Sequence, residues 1–535
     1  MQQITQMKMK NPRFEFRNSK FEIEGRKVLV VGLARSGTGA ANLLSSFGAE
    51  VWITDIKSQD SLRDNIKRLL PSIRIRTGEH PEEIFDMADL IVVSPGVPLD
   101  IPPLMKAKAK GIPIIGELEL AYQIVMSNEL GVMTPPPIPP PRGGRAREGV
   151  KLQTPNSELL TPKFIAVTGT NGKSTTTTLI DLMLRKSGFN TLMGGNIGNA
   201  LTEELNKLKV KSEKLKVDYI VAEVSSFQLE SIRNFKPFIS VILNITPDHL
   251  DRYREMQEYI DAKARIFENQ RQYDYLILNA DDPVIKKVES EKLKVKSEKP
   301  NIFYFSRKKE VEGVYFKDGR LCWSFLSTSG AVPSSLLMDG AALPPFNLIA
   351  ADEIKIKGLH NLENAMAASL AAFICECPPE AIMGVLKGFP GLEHRLEFVC
   401  EIDGVSFIND SKGTNAGAVV KSLESLQNVV LIMGGRDKDG DFTVLKDLIK
   451  ERVKALILLG EAKEKIAGTI GEVTETILVK DLKEAVKLSM SKTSAGDVVL
   501  LSPGCASFDM FADFEDRGKK FKEAVYAIKN SKISS

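Results

Sequence analysis

Histidine and cysteine are scarce, with four and five residues in a chain of 535. Five cysteines make no disulfide framework. Cys375 and Cys377 stand one residue apart, which matches no common zinc spacing. So few histidines argue against a histidine-rich metal site, and the cysteine usage suits a reducing cytosol. No run approaches the roughly 20 apolar residues of a membrane span. The N-terminal MQQITQMKMKNPRFEF has no apolar signal core. Charge of one sign is lacking too: 72 basic against 69 acidic residues leave +3. That is too little for a nucleic-acid coat or a polybasic membrane binder. The expectation is a cytoplasmic protein with no nucleic-acid partner and no membrane insertion.

What is present is ordinary globular material, 43% hydrophobic and 26% charged. At roughly 150 residues per domain the length suggests three or four domains. KVLVV, EVWITD and LIVVSPG read as buried strands, with a glycine turn and a helix pattern between the first two. Such alternation implies a parallel sheet with helices outside it, hence an α/β fold. The first domain is placed at residues 1–125. Residues 126–162 contain TPPPIPPPRGGRAR and read as a linker or insert, since proline and glycine fit neither a helix interior nor a central strand. A central domain follows at 163–390 and a third αβ region at 391–535. The octapeptide KLKVKSEK occurs twice, at 207–214 and 292–299. The stretches 207–217 and 286–300 are read as Lys-rich inserts, and 326–353 as a loop-rich excursion.

The strongest local signal is Gly169-Thr170-Asn171-Gly172-Lys173-Ser174-Thr175 after the apolar FIAV. A glycine loop between strand and helix directs backbone N–H groups and a helix N-terminus at phosphate. Lys173 would reach the β- and γ-phosphates, and Ser174 or Thr175 would hold Mg²⁺. The general pattern would want glycine at 167, where valine stands, so this loop is a shortened variant. Glu223 closes DYIVAE and His249 follows VILNITPD. A carboxylate and an imidazole at the strand edge that carries a nucleotide loop suit a metal site, although Mg²⁺ prefers oxygen. Near the start, Gly32-x-Ala34-x-x-Gly37 with Asp55 closing the next strand resembles a dinucleotide fingerprint. Ala34 replaces the glycine that lets backbone approach a pyrophosphate, which weakens an NAD reading and favours another anion or nucleotide. The third region offers Asn409-Asp410-Ser411-Lys412, Gly434-Gly435-Arg436-Asp437-Lys438, and Ser502-Pro503-Gly504 leading to Ser507. Lysines on loops at strand ends suit carboxylates.

The ordered set GTNGKST, EVSSFQLE, NITPDHLDRY, AKARIFEN, GLHNLENAMAA, GLEHRLE, NDSKGTN and LSPGCASFDMFADFEDRGKKF resembles the Mur ligases over nearly the whole chain outside the inserts. The resemblance implies three domains: a Rossmann-like N-terminal domain for a UDP moiety, a central P-loop ATPase, and a Rossmann-like C-terminal domain for an amino acid. It implies ATP-dependent amide ligation through an acyl phosphate, with Mg²⁺, adding D-glutamate to UDP-N-acetylmuramoyl-L-alanine in peptidoglycan precursor synthesis by a monomer. By the same resemblance Lys173 contacts phosphate, Ser174 and Glu223 serve one Mg²⁺, and His249 and a carbamylated Lys263 serve a second. Asn361, Asn364, Arg395 and Asp410 fall at nucleotide positions. Leu33, Ala34, Arg35, Ser36, Asp55, Gly96 and Asn196 fall at the UDP-substrate. Lys412, Thr414, Lys438, Ser507, Phe508 and Phe514 fall at D-glutamate. The Asp-Asn-Pro-Arg motif of the diaminopimelate-adding members does not occur in the C-terminal region. The competing readings are a folylpolyglutamate synthase-like ligase, an NAD(P)-binding oxidoreductase, and a nucleotide-switch protein without chemistry.

Overall fold

The computed structural model describes residues 23–127, 161–210, 217–249, 252–325, 337–338, 341–342, 346–424, 426–437 and 440–533. The expected linker, apart from its ends, therefore lies outside the described residues, as does Lys438. Among the described residues no helix is long and apolar enough to cross a membrane.

Near-continuous apolar runs such as KVLVV and LIVV suit strands covered on both faces, and they form parallel sheets. The first sheet holds β1 (Lys27–Val31), β2 (Glu50–Asp55), β3 (Arg74–Thr77), β4 (Leu90–Val93) and β5 (Ile114–Gly116), in the order β3-β2-β1-β4-β5. Every pair in it is parallel. The strand order reverses between β1 and β4, which opens a crevice beyond their carboxyl ends.

The second sheet takes β6 (Lys163–Thr168), β7 (Thr191–Gly195), β8 (Tyr219–Glu223), β9 (Ile239–Ile242), β10 (Tyr275–Asn279), β11 (Asn301–Ser306), β12 (Gly313–Lys317) and β13 (Arg320–Ser324). A two-stranded ribbon, β14 (Leu337–Met338) with β15 (Ala341–Ala342), lies apart from it, and β16 (Phe346–Ala350) returns to its edge. The order is β16-β13-β12-β11-β10-β9-β6-β8-β7. The switch point falls at β6, flanked by β8 and β9, with Val167 in register with Glu223 and Thr168 with Ile242.

The third sheet comprises β17 (Glu397–Ile402), β18 (Val405–Asn409), β19 (Val429–Gly434), β20 (Val453–Leu459), β21 (Glu475–Leu478) and β22 (Val498–Leu501), ordered β17-β18-β22-β19-β20-β21. Its switch point is β22, between β18 and β19.

The cores are unequally shared. One face of the first sheet and one face of the second enclose a single cluster, running from Val28, Val30 and Ile53 through Leu118 and Ile124 to Phe164, Ala222 and Ile242. The helix Glu117–Met126 threads it and is buried along nearly its whole length. Tyr122, Phe164 and Phe235 meet there edge to face, with centroids 5.3–5.9 Å apart. Two carboxylates enter this apolar region with their donors supplied. Glu117 accepts from both the N–H and the hydroxyl of Thr202 at 2.8 Å. Glu119 accepts the backbone N–H groups of Arg233, Asn234 and Phe235, each at 2.9 Å. The third sheet instead has its own apolar cluster on each face.

Three stretches read as inserts or loops are more ordered than expected. Lys207, Leu208 and Lys209 belong to the helix Leu201–Val210, where Lys209 caps the Phe47 ring at 3.3 Å; residues 211–216 lie outside the described residues. The second octapeptide follows the helix Pro283–Val288 through a wide turn, Glu289–Leu293. Leu293 is buried, Lys292 pairs with Asp261 at 2.8 Å, and Lys296 donates to the Glu268 carbonyl at 2.8 Å. Lysine stems cover apolar surface while their heads find oxygen, so a Lys-rich composition did not mean a loose loop here. In the stretch 326–353, β16 pairs antiparallel with β13 and extends the sheet.

Candidate functional site

The phosphate loop leaves β6 at the centre of the second sheet. Gly172, the residue before the helix Lys173–Lys186, has φ +86°, and a Cβ there would lie 2.2 Å from the Asn364 Oδ1. Only glycine fits that conformation and that clearance. The loop is tied to the next strand end: the Thr170 N–H donates to the Asn244 carbonyl at 2.9 Å and the Asn171 N–H to the Asn244 side chain at 2.8 Å. Lys173 folds back over it and donates to the carbonyls of Gly169 and Thr170, at 2.9 and 2.8 Å. Burial lowers the Lys173 pKa, and Glu223 opposes that shift. Asn364 accepts from Thr176 at 3.3 Å and donates to Asn361 at 3.2 Å, so both asparagines stand beside the glycine turn.

Glu223, at the end of β8, is 1% exposed. One oxygen accepts from the Asn196 amide at 2.7 Å, and the other, Oε2, is buried without a hydrogen-bond partner. Burial pushes this carboxyl up, but the Lys173 ammonium, the Ser174 hydroxyl and the Asn196 amide outweigh it and hold it below its ordinary pKa. A buried ionised carboxylate beside the Ser174 hydroxyl is the donor set of a hard divalent cation. Lys263 lies across the loop, 2% exposed, and donates to the same Gly169 carbonyl at 2.9 Å. Burial and the neighbouring Lys173 drive its pKa well down. As an ammonium it does not fit a metal site; as a carbamate it would supply an anionic oxygen. His249 has φ +57° and stacks edge to face on Phe227 at 4.7 Å, with its Nε2 3.8 Å from Asp248. Among the described residues no three His, Cys, Asp or Glu side chains already converge on a metal position.

The third unit meets the second through the segment before β17 and the loop after β18. Arg395 donates to the Ser174 hydroxyl at 3.0 Å, and Asn415 donates to Asp248 at 3.0 Å. Asp410 does not touch the loop. Its carboxylate accepts from Ser422 and Ser502, both at 2.8 Å, and burial raises its pKa to about 6. Lys412 lies 3.7 Å over the Phe514 ring, and burial lowers its pKa to about 8. Ser507 is buried, Thr414 half-buried and Phe508 63% exposed at the rim. Arg517, unsuspected from the sequence, is buried to 2% and donates to the Ser411 hydroxyl and carbonyl at 3.0 and 2.8 Å. It braces the loop that carries Lys412.

The crevice of the first sheet holds the remaining expected residues. Asp55 accepts the Leu33 N–H at 2.7 Å and the Lys57 N–H at 2.9 Å, so its carboxylate shapes the turn. A Cβ at Gly37 would fall 1.8 Å from the Gly32 carbonyl, which fixes how closely the helix Arg35–Ser46 meets β1. Ala34 precedes that helix, with Ser36 in its first turn, and Gly96 follows β4 on the facing loop. Arg35 donates to the Gly198 carbonyl of the second unit, next to Asn196.

Three nucleotide-type crevices, one per sheet, with a phosphate loop in the middle one define a modular nucleotide-dependent enzyme. Comparison with known proteins makes this specific: the chain belongs to the Mur ligase family. Residues 26–116 match the Mur ligase MurD-like N-terminal domain, 167–372 the Mur ligase middle domain and 394–505 the Mur ligase glutamate ligase domain. The UDP-N-acetylmuramoylalanine–D-glutamate ligases of Geotalea daltonii and Geotalea uraniireducens are each 41% identical over 95% of this chain and 98% of theirs. That of Thermoanaerobacter is 40% identical over 95% of this chain and all of its own. Among solved structures, the UDP-N-acetylmuramate-alanine ligase of Thermotoga maritima superposes with TM-score 0.54 at 17% identity, covering 94% of this chain and 99% of that one. The MurF ligase of Thermotoga maritima, solved with ADP, gives 0.54 at 14%, covering 95% and 98%. These two share the fold. The oxidoreductase reading falls away with the family.

Proposed function

We propose that the protein joins D-glutamate to UDP-N-acetylmuramoyl-L-alanine at the expense of ATP, supplying cytoplasmic peptidoglycan precursor synthesis as a monomer. The observation that carries this reading is the meeting of Lys173, Ser174 and Glu223 in the second unit with Arg395 and Lys412 in the third. The curated relatives supply the choice of substrates.

The chemistry requires a substrate carboxylate to attack the ATP γ-phosphate, so two anions must approach. Lys173 and the N–H groups of the 169–175 loop offset that repulsion, strongly so where water is excluded. Ser174 and Glu223 would hold Mg²⁺, whose charge supplies the rest of the neutralisation. The acyl phosphate then forms and ADP leaves. The D-glutamate amine attacks the acyl carbon, the C–N bond forms, and phosphate departs with the C–O bond. Lys412 and Lys438 would bind the amino acid's two carboxylates, with Thr414, Ser507, Phe508 and Phe514 completing the set. Asn361, Asn364 and Arg395 serve the nucleotide end, and Asp410 supports it from behind by accepting the Leu396 N–H next to Arg395. Leu33, Ala34, Arg35, Ser36, Asp55, Gly96 and Asn196 serve the UDP end. The depressed Lys263 amine is neutral more readily than an ordinary lysine, as uptake of CO₂ requires; the carbamate would join His249 as metal-binding groups.

The test is phosphate release with ATP, Mg²⁺, UDP-N-acetylmuramoyl-L-alanine and single amino acids. Stimulation by D-glutamate is expected. A response to a different amino acid or to a folate, and none to D-glutamate, overturns the proposal.

A further inference from the structure

Asn415 stands at the junction of the second and third units. It precedes the helix Ala416–Glu424, and its side-chain oxygen accepts the Ala418 N–H at 2.8 Å, which caps that helix. This bond fixes the amide's orientation and leaves its NH₂ facing outward. There it donates to Asp248 Oδ2 at 3.0 Å, 167 residues away in the second unit. The other Asp248 oxygen accepts the His249 N–H at 3.0 Å, and Oδ2 itself lies 3.8 Å from the His249 ring nitrogen. Asp248 is 13% exposed, so the bond to it is charge-assisted and largely shielded from water. The helix start also approaches the phosphate loop: a Cβ at Gly417 would lie 3.8 Å from Asn171 Nδ2 and 4.0 Å from Thr246 Oγ1.

We infer that Asn415 is a positioning residue of the ligation reaction, a latch that couples closure of the third unit to the setting of the Asp248–His249 turn. The inference rests on the ligase reading above. One amide does two tasks: its oxygen completes a helix in the amino-acid-binding unit, and its nitrogen holds the carboxylate against which His249 is set. The third unit thus reaches the reacting region through this donor. His249 has a left-handed backbone, which a non-glycine residue adopts only when its surroundings enforce it. The His249 carbonyl accepts the N–H groups of Arg252 and Tyr253, at 3.0 and 3.1 Å, and its own N–H is held by the doubly engaged Asp248.

Substitution separates capping from latching, because aspartate and serine are as good helix caps as asparagine. Asn415→Ser keeps the cap and replaces the amide donor with a shorter hydroxyl, one atom further from Asp248. Asn415→Asp keeps the cap and sets a second carboxylate against Asp248. Closure is read by energy transfer between dyes on the second and third units of the full-length enzyme, with ADP and Mg²⁺ present, alongside steady-state kinetics. Loss of a charge-assisted hydrogen bond is expected to lower the closed-to-open ratio roughly tenfold or more in the serine variant. The aspartate variant should lose still more, with KM for D-glutamate raised by a similar factor. ADP affinity of the second unit and the thermal midpoint should stay at the wild-type values. The double variant Asn415→Asp with Asp248→Asn exchanges donor and acceptor and should restore closure, whatever its turnover. If Asn415→Asp closes like the wild type, or the exchange restores nothing, the latch is refuted. Failure of the wild type to respond to D-glutamate would refute the ligase reading instead.

Discussion

Removing the Glu119 carboxylate tests how the first two units are held as one. Its two oxygens accept the N–H groups of Arg233, Asn234 and Phe235 and the Gln123 side-chain amide. Glu119→Ala leaves three backbone donors without acceptors. Only the Phe235 N–H is buried, and those of Arg233 and Asn234 are part-buried, so at about 1–3 kcal/mol for a buried unsatisfied group and less for the two that water can reach, the cost is about 2–5 kcal/mol. Glu119→Gln is milder. Its carbonyl can serve Arg233 and Phe235, and Gln123 can turn its own unpartnered oxygen toward the new amide, so only the Asn234 N–H is abandoned. Because the Asn234 bond is only part-buried, about 1–2 kcal/mol is expected. The assay is urea unfolding followed by tryptophan fluorescence, since one tryptophan, Trp52, lies in the first sheet and the other, Trp323, in the second. In single-tryptophan backgrounds both probes should move to lower urea together, alanine further than glutamine. An unchanged midpoint in Glu119→Ala would refute the accounting. Movement of Trp52 alone would refute the shared core.

Lys173→Ala should abolish ATP-dependent turnover while the protein stays folded; phosphate release at the wild-type rate would remove Lys173 from the phosphate site. Lys412 titrates near pH 8 in the free enzyme, below an ordinary lysine. Its charge is present below that pH and is lost as pH rises through it, so KM for D-glutamate should be flat below about pH 8 and climb above it. Lys412→Arg keeps its charge, and its profile should lose that climb. Gly172→Ala forces a side chain into left-handed backbone and toward Asn364, so nucleotide affinity by calorimetry should drop by at least about tenfold, the equivalent of 1.4 kcal/mol. Exhaustive CO₂ removal should lower turnover reversibly, with recovery on adding bicarbonate; indifference to bicarbonate would argue against a carbamylated Lys263.

The parts legible in the sequence are those written in local order. A run of apolar residues, a glycine turn and a helix opening with Lys-Ser-Thr occupy a dozen consecutive positions, and the phosphate loop has that form. Strand ends are legible for the same reason, which is how Glu223 and His249 emerge. Pairings across the fold are not. Asn415 and Asp248 lie 167 positions apart, and nothing in either segment alone marks them. Glu117 and Glu119 look like the polar side of an exposed helix until the N–H groups that meet them are seen. Arg517 sits among charged neighbours in FEDRGKKF, and only burial distinguishes it. The octapeptide KLKVKSEK misleads outright, because its composition suggests loose chain. The first copy begins inside an α-helix and the second in a wide turn packed on Phe267 and Glu268. Tertiary surroundings, not propensity, decide each copy's conformation.

The uneven sharing of the cores makes the protein divisible at one seam and not at the other. Cutting between the first and second sheets would expose the apolar face joining Ile53 and Leu118 to Phe164 and Ala222. Cutting before β17 would strip mainly polar contacts, since both faces of the third sheet carry their own cores. On the proposed function, amino-acid choice should therefore be exchangeable as a cassette, by grafting a relative's third unit after Gly391. The nucleotide and sugar halves must be inherited as a pair. Such a graft must bring an amide to the position of Asn415 and a guanidinium to that of Arg395, because the cassette meets its host at Asp248 and at Ser174.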